Sequence, residues 1–225
     1  MVLQDCPNEE LKRWLPRPIF KERANLRVNP AQWIKMSGGK MQMGRDDQER
    51  LDNVEQLAAV PFGWDNECPS FQTNVDQFEI QSRPVTICEY LLFLESHGWR
   101  EELIPLSWIK RDNHWMVKSI YGYIFINKVS LWPVSTSQFQ ATSYANHYGL
   151  KLPTEAQLLF SRSSTPESLN ENHSFTQYCP ADVDMEASHY TDSVGNGWEW
   201  TSTLFEPFDG FQASDMYPGY SADFL

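Results

Sequence analysis

Gly195-Asn196-Gly197-Trp198-Glu199-Trp200-Thr201 is the densest cluster of chemistry-bearing residues in this 225-residue sequence. Two indoles flank one carboxylate behind two glycines. Read as a strand, the stretch puts Trp198 and Trp200 on one face and Glu199 on the other. Backbone carbonyls at Gly195 and Gly197, joined by the Glu199 carboxylate, form the all-oxygen donor set that Ca2+ takes. The plainer alternative is a core of buried indoles with Glu199 bonded to backbone, and the residues alone leave both open. A second cluster, Phe62-Gly63-Trp64-Asp65-Asn66-Glu67, sets an aromatic ring beside three adjacent hydrogen-bond acceptors.

Outward from these clusters the pattern is one of short elements. Trp33–Met36 and Lys40–Met43 alternate on either side of Ser37-Gly38-Gly39 and predict a strand hairpin. Residues 45–59 read as a loop or one weak helix, and Phe71–Ile80 as a strand. Thr86 with Glu89 three residues on is a capping box that opens a helix over Cys88–Ser96, with Tyr90, Leu91 and Leu94 on one face. Short strands follow at Leu106–Lys110, Trp115–Lys118 and Tyr121–Asn127. Ser137–Tyr148 is helical and ends at Gly149. Thr154 caps another helix over Thr154–Phe160. A short strand is expected near Trp198–Thr203. Residues 1–30, broken by Pro7, Pro16, Pro18 and Pro30, read as a lead-in segment with a short helix around Glu9–Leu15. Residues 31–225 then form one α+β domain of short strands, two main helices and long loops.

Composition narrows the function. With 18 Lys+Arg against 30 Asp+Glu, the formal charge is −12. That excludes a nucleic-acid binder, which needs a basic face, and a polybasic membrane-surface protein. No leader-like apolar run follows the N-terminus, and no stretch is long and apolar enough to span a bilayer. Cys6, Cys68, Cys88 and Cys179 are dispersed and form no CxxC, which fits a reducing cytoplasmic or nuclear setting. The five histidines are scattered, with no HxxxH or HExxH spacing, and no GxSxG, GxGxxG or Walker pattern is present. The segment 163–225 holds 11 Asp+Glu and 11 aromatics but no Lys or Arg. Its acids must face water or meet cations from elsewhere.

In this order, Trp33–Gly44 (WIKMSGGKMQMG), Phe62–Glu67 (FGWDNE), Arg83–Tyr90 (RPVTICEY), Leu152–Ala156 (LPTEA) and Gly195–Thr201 (GNGWEWT) resemble the formylglycine-generating-enzyme-like, or sulfatase-modifying-factor, domain. FGWDNE, PFDGF and YPGYSADF are similar to one subgroup, the C-terminal module of ergothioneine-biosynthesis sulfoxide synthases. The resemblance implies a C-type-lectin-like fold over roughly 33–225. It implies a non-haem Fe(II) and O2 reaction joining a thiol (cysteine or γ-glutamylcysteine) to trimethylhistidine. Its iron ligands would be histidines of a separate helical domain, absent here, so a partner chain would have to supply them. It implies a substrate wall, placed at Trp64, Asp65, Asn66, Glu67 and Trp198, and a proton-donating tyrosine at Tyr217 or Tyr220. In related formylglycine enzymes the block at Gly195, Gly197 and Glu199 lies at a Ca2+ site. Lys151 and Gln157 depart from the family's RLPTEAEWE. The family pattern also continues past Phe224 into a GGSW block and a closing GFR strand. The resemblance therefore implies a domain with its C-terminal part missing, inactive alone. A non-catalytic binding or regulatory paralogue and a formylglycine-type cysteine oxidase are the competing readings. On this view residues 163–225 are poorly ordered, with an apolar patch at Trp198, Trp200 and Phe211.

Overall fold

The computed structural model describes residues 29–46, 63–164, 172, 177–191 and 194–217. The expected helix around Glu9–Leu15, most of 45–59 and Tyr220 lie outside these residues. The expectation about order in 163–225 falls partly outside them as well.

Three helices start on capping boxes. Thr86 Oγ1 accepts the Glu89 N–H at 3.2 Å, while Glu89 Oε2 accepts the Thr86 N–H at 2.8 Å, opening α1 (Ile87–Ser96). Ser137 and Gln140 do the same for α2 (Gln138–His147), and Thr154 and Gln157 for α3 (Glu155–Ser163). Each box satisfies amide hydrogens that the first helical turn leaves without partners. The two main helices expected are thus three among the described residues, α3 having been read as far as Phe160. None is long and apolar enough to cross a membrane.

Among the described residues, seven short strands accompany them: β1 (Trp33–Met36), β2 (Gly39–Met43), β3 (Phe71–Val75), β4 (Phe78–Gln81), β5 (Trp108–Arg111), β6 (His114–Ser119) and β7 (Gly122–Phe125). β5, β6 and β7 form an antiparallel meander. Asp112 and Asn113, both at positive φ (47° and 63°), make its first turn, as a two-residue hairpin demands.

The expected β1–β2 hairpin does not form. β1 pairs with β4 and β2 with β3, both antiparallel. The register is unbroken across both pairs: 33 + 81, 36 + 78, 39 + 75 and 43 + 71 all equal 114. The four strands are one long two-stranded ribbon, interrupted opposite Asp76-Gln77. Gly38 (φ 70°) stands at the interruption, where a Cβ would run into the Val75 carbonyl oxygen. The glycine pair that looked like a turn is a kink that lets two backbones approach.

α1 buries Ile87, Tyr90, Phe93 and Leu94, at helical spacing, against Trp108, Val117, Ile124, Val129 and Trp132. This is the main core. The Tyr90 hydroxyl is satisfied by the Leu103 carbonyl at 2.8 Å. Gln140 of α2 donates to the carbonyls of Glu102 and Ile104 at 3.1 and 3.0 Å, tying α2 to the loop beyond α1. A smaller cluster joins Met36 of β1, Leu158 of α3 and Tyr190.

Candidate functional site

Within the second cluster, Gly63–Glu67 makes a tight turn closed by its own side chains. Glu67 Oε2 accepts the Trp64 N–H at 2.9 Å, and the Arg45 N–H donates to the Glu67 carbonyl at 2.7 Å. Asp65 is buried, and its Oδ2 accepts the Ser214 N–H at 2.9 Å across 149 residues of sequence. Phe71 meets Phe208 edge-on at 4.8 Å on the same side. These contacts seat segment 208–217 against the turn and bring the Tyr217 ring to 5.6 Å from that of Trp64, edge to face at 83°. Trp64 is half exposed, and the buried Asn66 side-chain oxygen has no partner among the described residues. Two of the expected site residues, Trp64 and Tyr217, are therefore neighbours. Ser214, which positions the segment, carried no signal in the sequence.

The Gly195–Thr201 block lies elsewhere and is not a strand. It is held as a loop. Ser202 N–H donates to the Pro153 carbonyl at 2.8 Å, and Trp200 Nε1–H donates to the Thr136 carbonyl at 2.9 Å. The buried Asn196 side chain accepts the Ala181 N–H at 2.8 Å. Both indoles face outward, Trp198 completely, and Glu199 turns in. The expected indole core is thus reversed: the carboxylate is the half-buried group and the indoles are the exposed ones. Glu199 is ion-paired with Arg162 of α3 and accepts the Tyr190 hydroxyl at 3.1 Å. Burial pushes the Glu199 carboxyl up, against the opposing pull of Arg162, and burial pushes the Tyr190 phenol up too.

Beside this loop is a cavity of about 670 Å³. β4, the start of α3, the 196–200 loop and the buried Arg83 line it. Trp198 and Glu199 belong to its wall; Trp64, Asp65, Asn66, Glu67 and Tyr217 do not. The expected site residues fall into two places.

Residues 19–215 match the sulfatase-modifying factor enzyme 1-like domain. The chain belongs to that family. It is 32% identical over 187 residues to ergothioneine biosynthesis protein 1 of Schizosaccharomyces pombe, covering 80% of this chain and 24% of that protein. It is 24% identical to the protein of the same name from Neurospora crassa, over 94% of this chain and 34% of that protein. Hercynine oxygenase of Mycolicibacterium thermoresistibile is 24% identical over 75% of this chain and 45% of its own length. The chain thus spans less than half of each of these relatives.

Among the described residues the donor sets for metals are poor. Among the described residues no three His, Cys, Asp or Glu side chains gather. His97 and His147 touch, with ring centroids 4.6 Å apart, but they pack on Phe93. These residues do not fit an iron centre. Nor does Glu199 fit Ca2+ together with Gly195 and Gly197, because its two oxygens already serve a guanidinium and a phenol. Cys68, Cys88 and Cys179 are buried thiols that form no disulfide among the described residues, and burial pushes Cys179 up to about 11, far from a reactive thiolate.

Proposed function

We propose that this chain is the substrate-side module of an ergothioneine-pathway sulfoxide synthase, the enzyme that joins a cysteine-type thiol to trimethylhistidine. The likeness to ergothioneine biosynthesis protein 1 over 80% of the chain carries the reading. The contact between Trp64 and Tyr217 supports it, since it unites two blocks that the family resemblance marks separately for substrate and for proton transfer. Iron and its ligands come from another domain or chain. On this side, the Trp64 face takes the quaternary ammonium of trimethylhistidine, which aromatic faces attract. The Asn66 carbonyl accepts a hydrogen bond from substrate, and the tyrosine hydroxyl gives a proton. Without the iron partner the chain binds and does not turn over.

Titration of the full chain with trimethylhistidine, followed by tryptophan fluorescence, tests this. Saturable quenching that is lost in Trp64→Leu is the expected result. No saturation in the millimolar range, or quenching unchanged in Trp64→Leu, overturns the assignment. A second reading is a non-catalytic paralogue of that enzyme. It predicts the same binding and no turnover even when the part of the fission-yeast relative outside the match is added.

A further inference from the structure

Three indoles, Trp33, Trp198 and Trp200, stand on the wall of the 670 Å³ cavity with much of their surface still exposed. Indole faces gathered at one recess offer a planar ring a large apolar surface to lie against. The volume is that of a small-molecule site, which is mostly apolar with a few polar groups that fix orientation.

The polar groups of this wall differ in what they already bind. Glu79 pairs with Lys35 at 3.8 Å, Arg83 with Glu89 at 2.9 Å, and Glu199 with Arg162. Lys151, alone of the charged side chains on the wall, has no ion pair or hydrogen bond among the described residues. The phenols divide in the same way. Tyr90 donates to the Leu103 carbonyl at 2.8 Å, and Tyr190 to Glu199 at 3.1 Å. The Tyr144 hydroxyl has no hydrogen bond among the described residues, and it is not sealed from solvent. The Tyr144 ring stacks on Tyr90 at 5.8 Å and meets Phe93 at 5.4 Å, contacts that hold it in the core.

The two unspent groups belong to one corner of the cavity, the C-terminal end of α2. The Leu150 N–H donates to the Ala145 carbonyl at 2.9 Å, which folds the chain back onto the helix beside Tyr144, and Lys151 follows directly. An ammonium and a phenol both donate hydrogen bonds, and a carboxylate accepts from both at once.

We propose that this cavity binds a small aromatic carboxylate, its ring against the indoles and its carboxylate on Lys151 and the Tyr144 hydroxyl. The inference goes beyond the functional reading above and does not rest on it, because Trp64 and Tyr217 take no part in this wall.

Indoleacetate, indoleacetamide and tryptamine carry one ring with a carboxylate, a neutral amide and an ammonium, and titration calorimetry of each into the full chain is the test. Indoleacetate should saturate at or below the low-millimolar range. The amide should bind about tenfold more weakly, because charge-assisted bonds are lost, and tryptamine more weakly still. Lys151→Met keeps the side-chain stem, and Tyr144→Phe keeps the ring. Each should weaken indoleacetate by about three- to tenfold, and Lys151→Met should leave the amide nearly unchanged. No saturation by indoleacetate, equal affinity for the three probes, or wild-type indoleacetate affinity in both variants overturns the proposal. Displacement of indoleacetate by trimethylhistidine overturns it too, since the cavity would then belong to that substrate. Quenching through Trp64 by trimethylhistidine is read separately, so failure here leaves the functional reading standing, and the converse holds.

Discussion

Arg162, the last Lys or Arg in the sequence, is ion-paired with Glu199, a half-buried acid of the cation-free stretch that follows it. The partner for this acid therefore comes from one residue before the segment, on the last turn of α3. Arg162 and Glu199 retain 33% and 21% side-chain exposure, so the pair sits between a surface and a core ion pair. Arg162→Met leaves the carboxylate with only the Tyr190 hydroxyl and is expected to cost about 1–3 kcal/mol in urea unfolding. The double variant Arg162→Met/Glu199→Gln should recover part of that loss, as coupled partners do. An equal or larger loss in the double variant would show that the two groups are not coupled.

The pH dependence of Glu199 has a defined sign. Burial raises its carboxyl above the ordinary 4.5, so the folded chain holds this proton to higher pH than the unfolded chain. The contribution is full below 4.5 and declines as pH rises through the raised value. As pH rises above 4.5, the stability of the wild-type chain should fall relative to Glu199→Gln. Parallel stability curves for the two proteins would contradict the burial argument.

Gly38 and Gly149 have nearly the same backbone, with φ 70° and 69°, but different surroundings. A Cβ on Gly149 meets nothing within 4 Å, so Gly149→Ala should cost only the left-handed penalty of about 1–2 kcal/mol. On Gly38 the same methyl strikes the Val75 carbonyl and the Asp76–Gln77 backbone across the ribbon. Gly38→Ala should cost clearly more and loosen exchange in both β2–β3 and β1–β4. Equal melting-temperature losses for the two alanine variants would refute the continuous ribbon.

Gln157, where family members carry glutamate, keeps the cap of α3 by accepting the Thr154 N–H at 2.9 Å. Gln157→Glu preserves that geometry and adds negative charge at a helix N-terminus, so a gain of about 0.3–1 kcal/mol is expected. Thr154→Ala removes the other half of the box and should lose about 1 kcal/mol. Thermal melts of both variants check the pair. A destabilised Gln157→Glu would mean that an unrecognised acid crowds the site.

The three helix starts were legible in the sequence, at Thr86 as a capping box, at Thr154 as a cap and at Ser137 from the helical run, because these signals are local; the boxes closed by Gln140 and Gln157 came only with the structure. The three meander strands were legible too, to within a few residues, since short turns join them. Ribbon pairing was not, because Met36 finds Phe78 rather than the adjacent chain, and a glycine pair reads alike as a turn or as a kink. The Trp198–Thr203 segment alternates like a strand, with indoles out and carboxylate in, but its backbone bonds go to Pro153 and its indole to Thr136. Periodicity reported which way those side chains point and not what they pair with. The neighbourhood of Trp64 and Tyr217, 217 − 64 = 153 residues apart, depends on the Asp65–Ser214 bond and has no sequence signature.

The family resemblance left the proton donor open between Tyr217 and Tyr220, and the geometry now motivates testing Tyr217 first. Its ring meets that of Trp64 edge to face, and its segment is anchored by Ser214 on buried Asp65. A proton donor acts mainly in the transition state, with an effect of about 10²–10⁴-fold on its step. In an enzyme reconstituted with the part of the fission-yeast relative outside the match, Tyr217→Phe should divert product away from the sulfoxide while trimethylhistidine binding changes little. Asp65→Asn keeps an acceptor for the Ser214 N–H and should leave product ratios near wild type. Asp65→Ala removes it and should shift the ratios towards those of Tyr217→Phe, because the anchor is lost although the hydroxyl remains. Wild-type product ratios in Tyr217→Phe, with diversion in Tyr220→Phe instead, would move the role to Tyr220. Wild-type ratios in both would remove proton donation from this segment altogether.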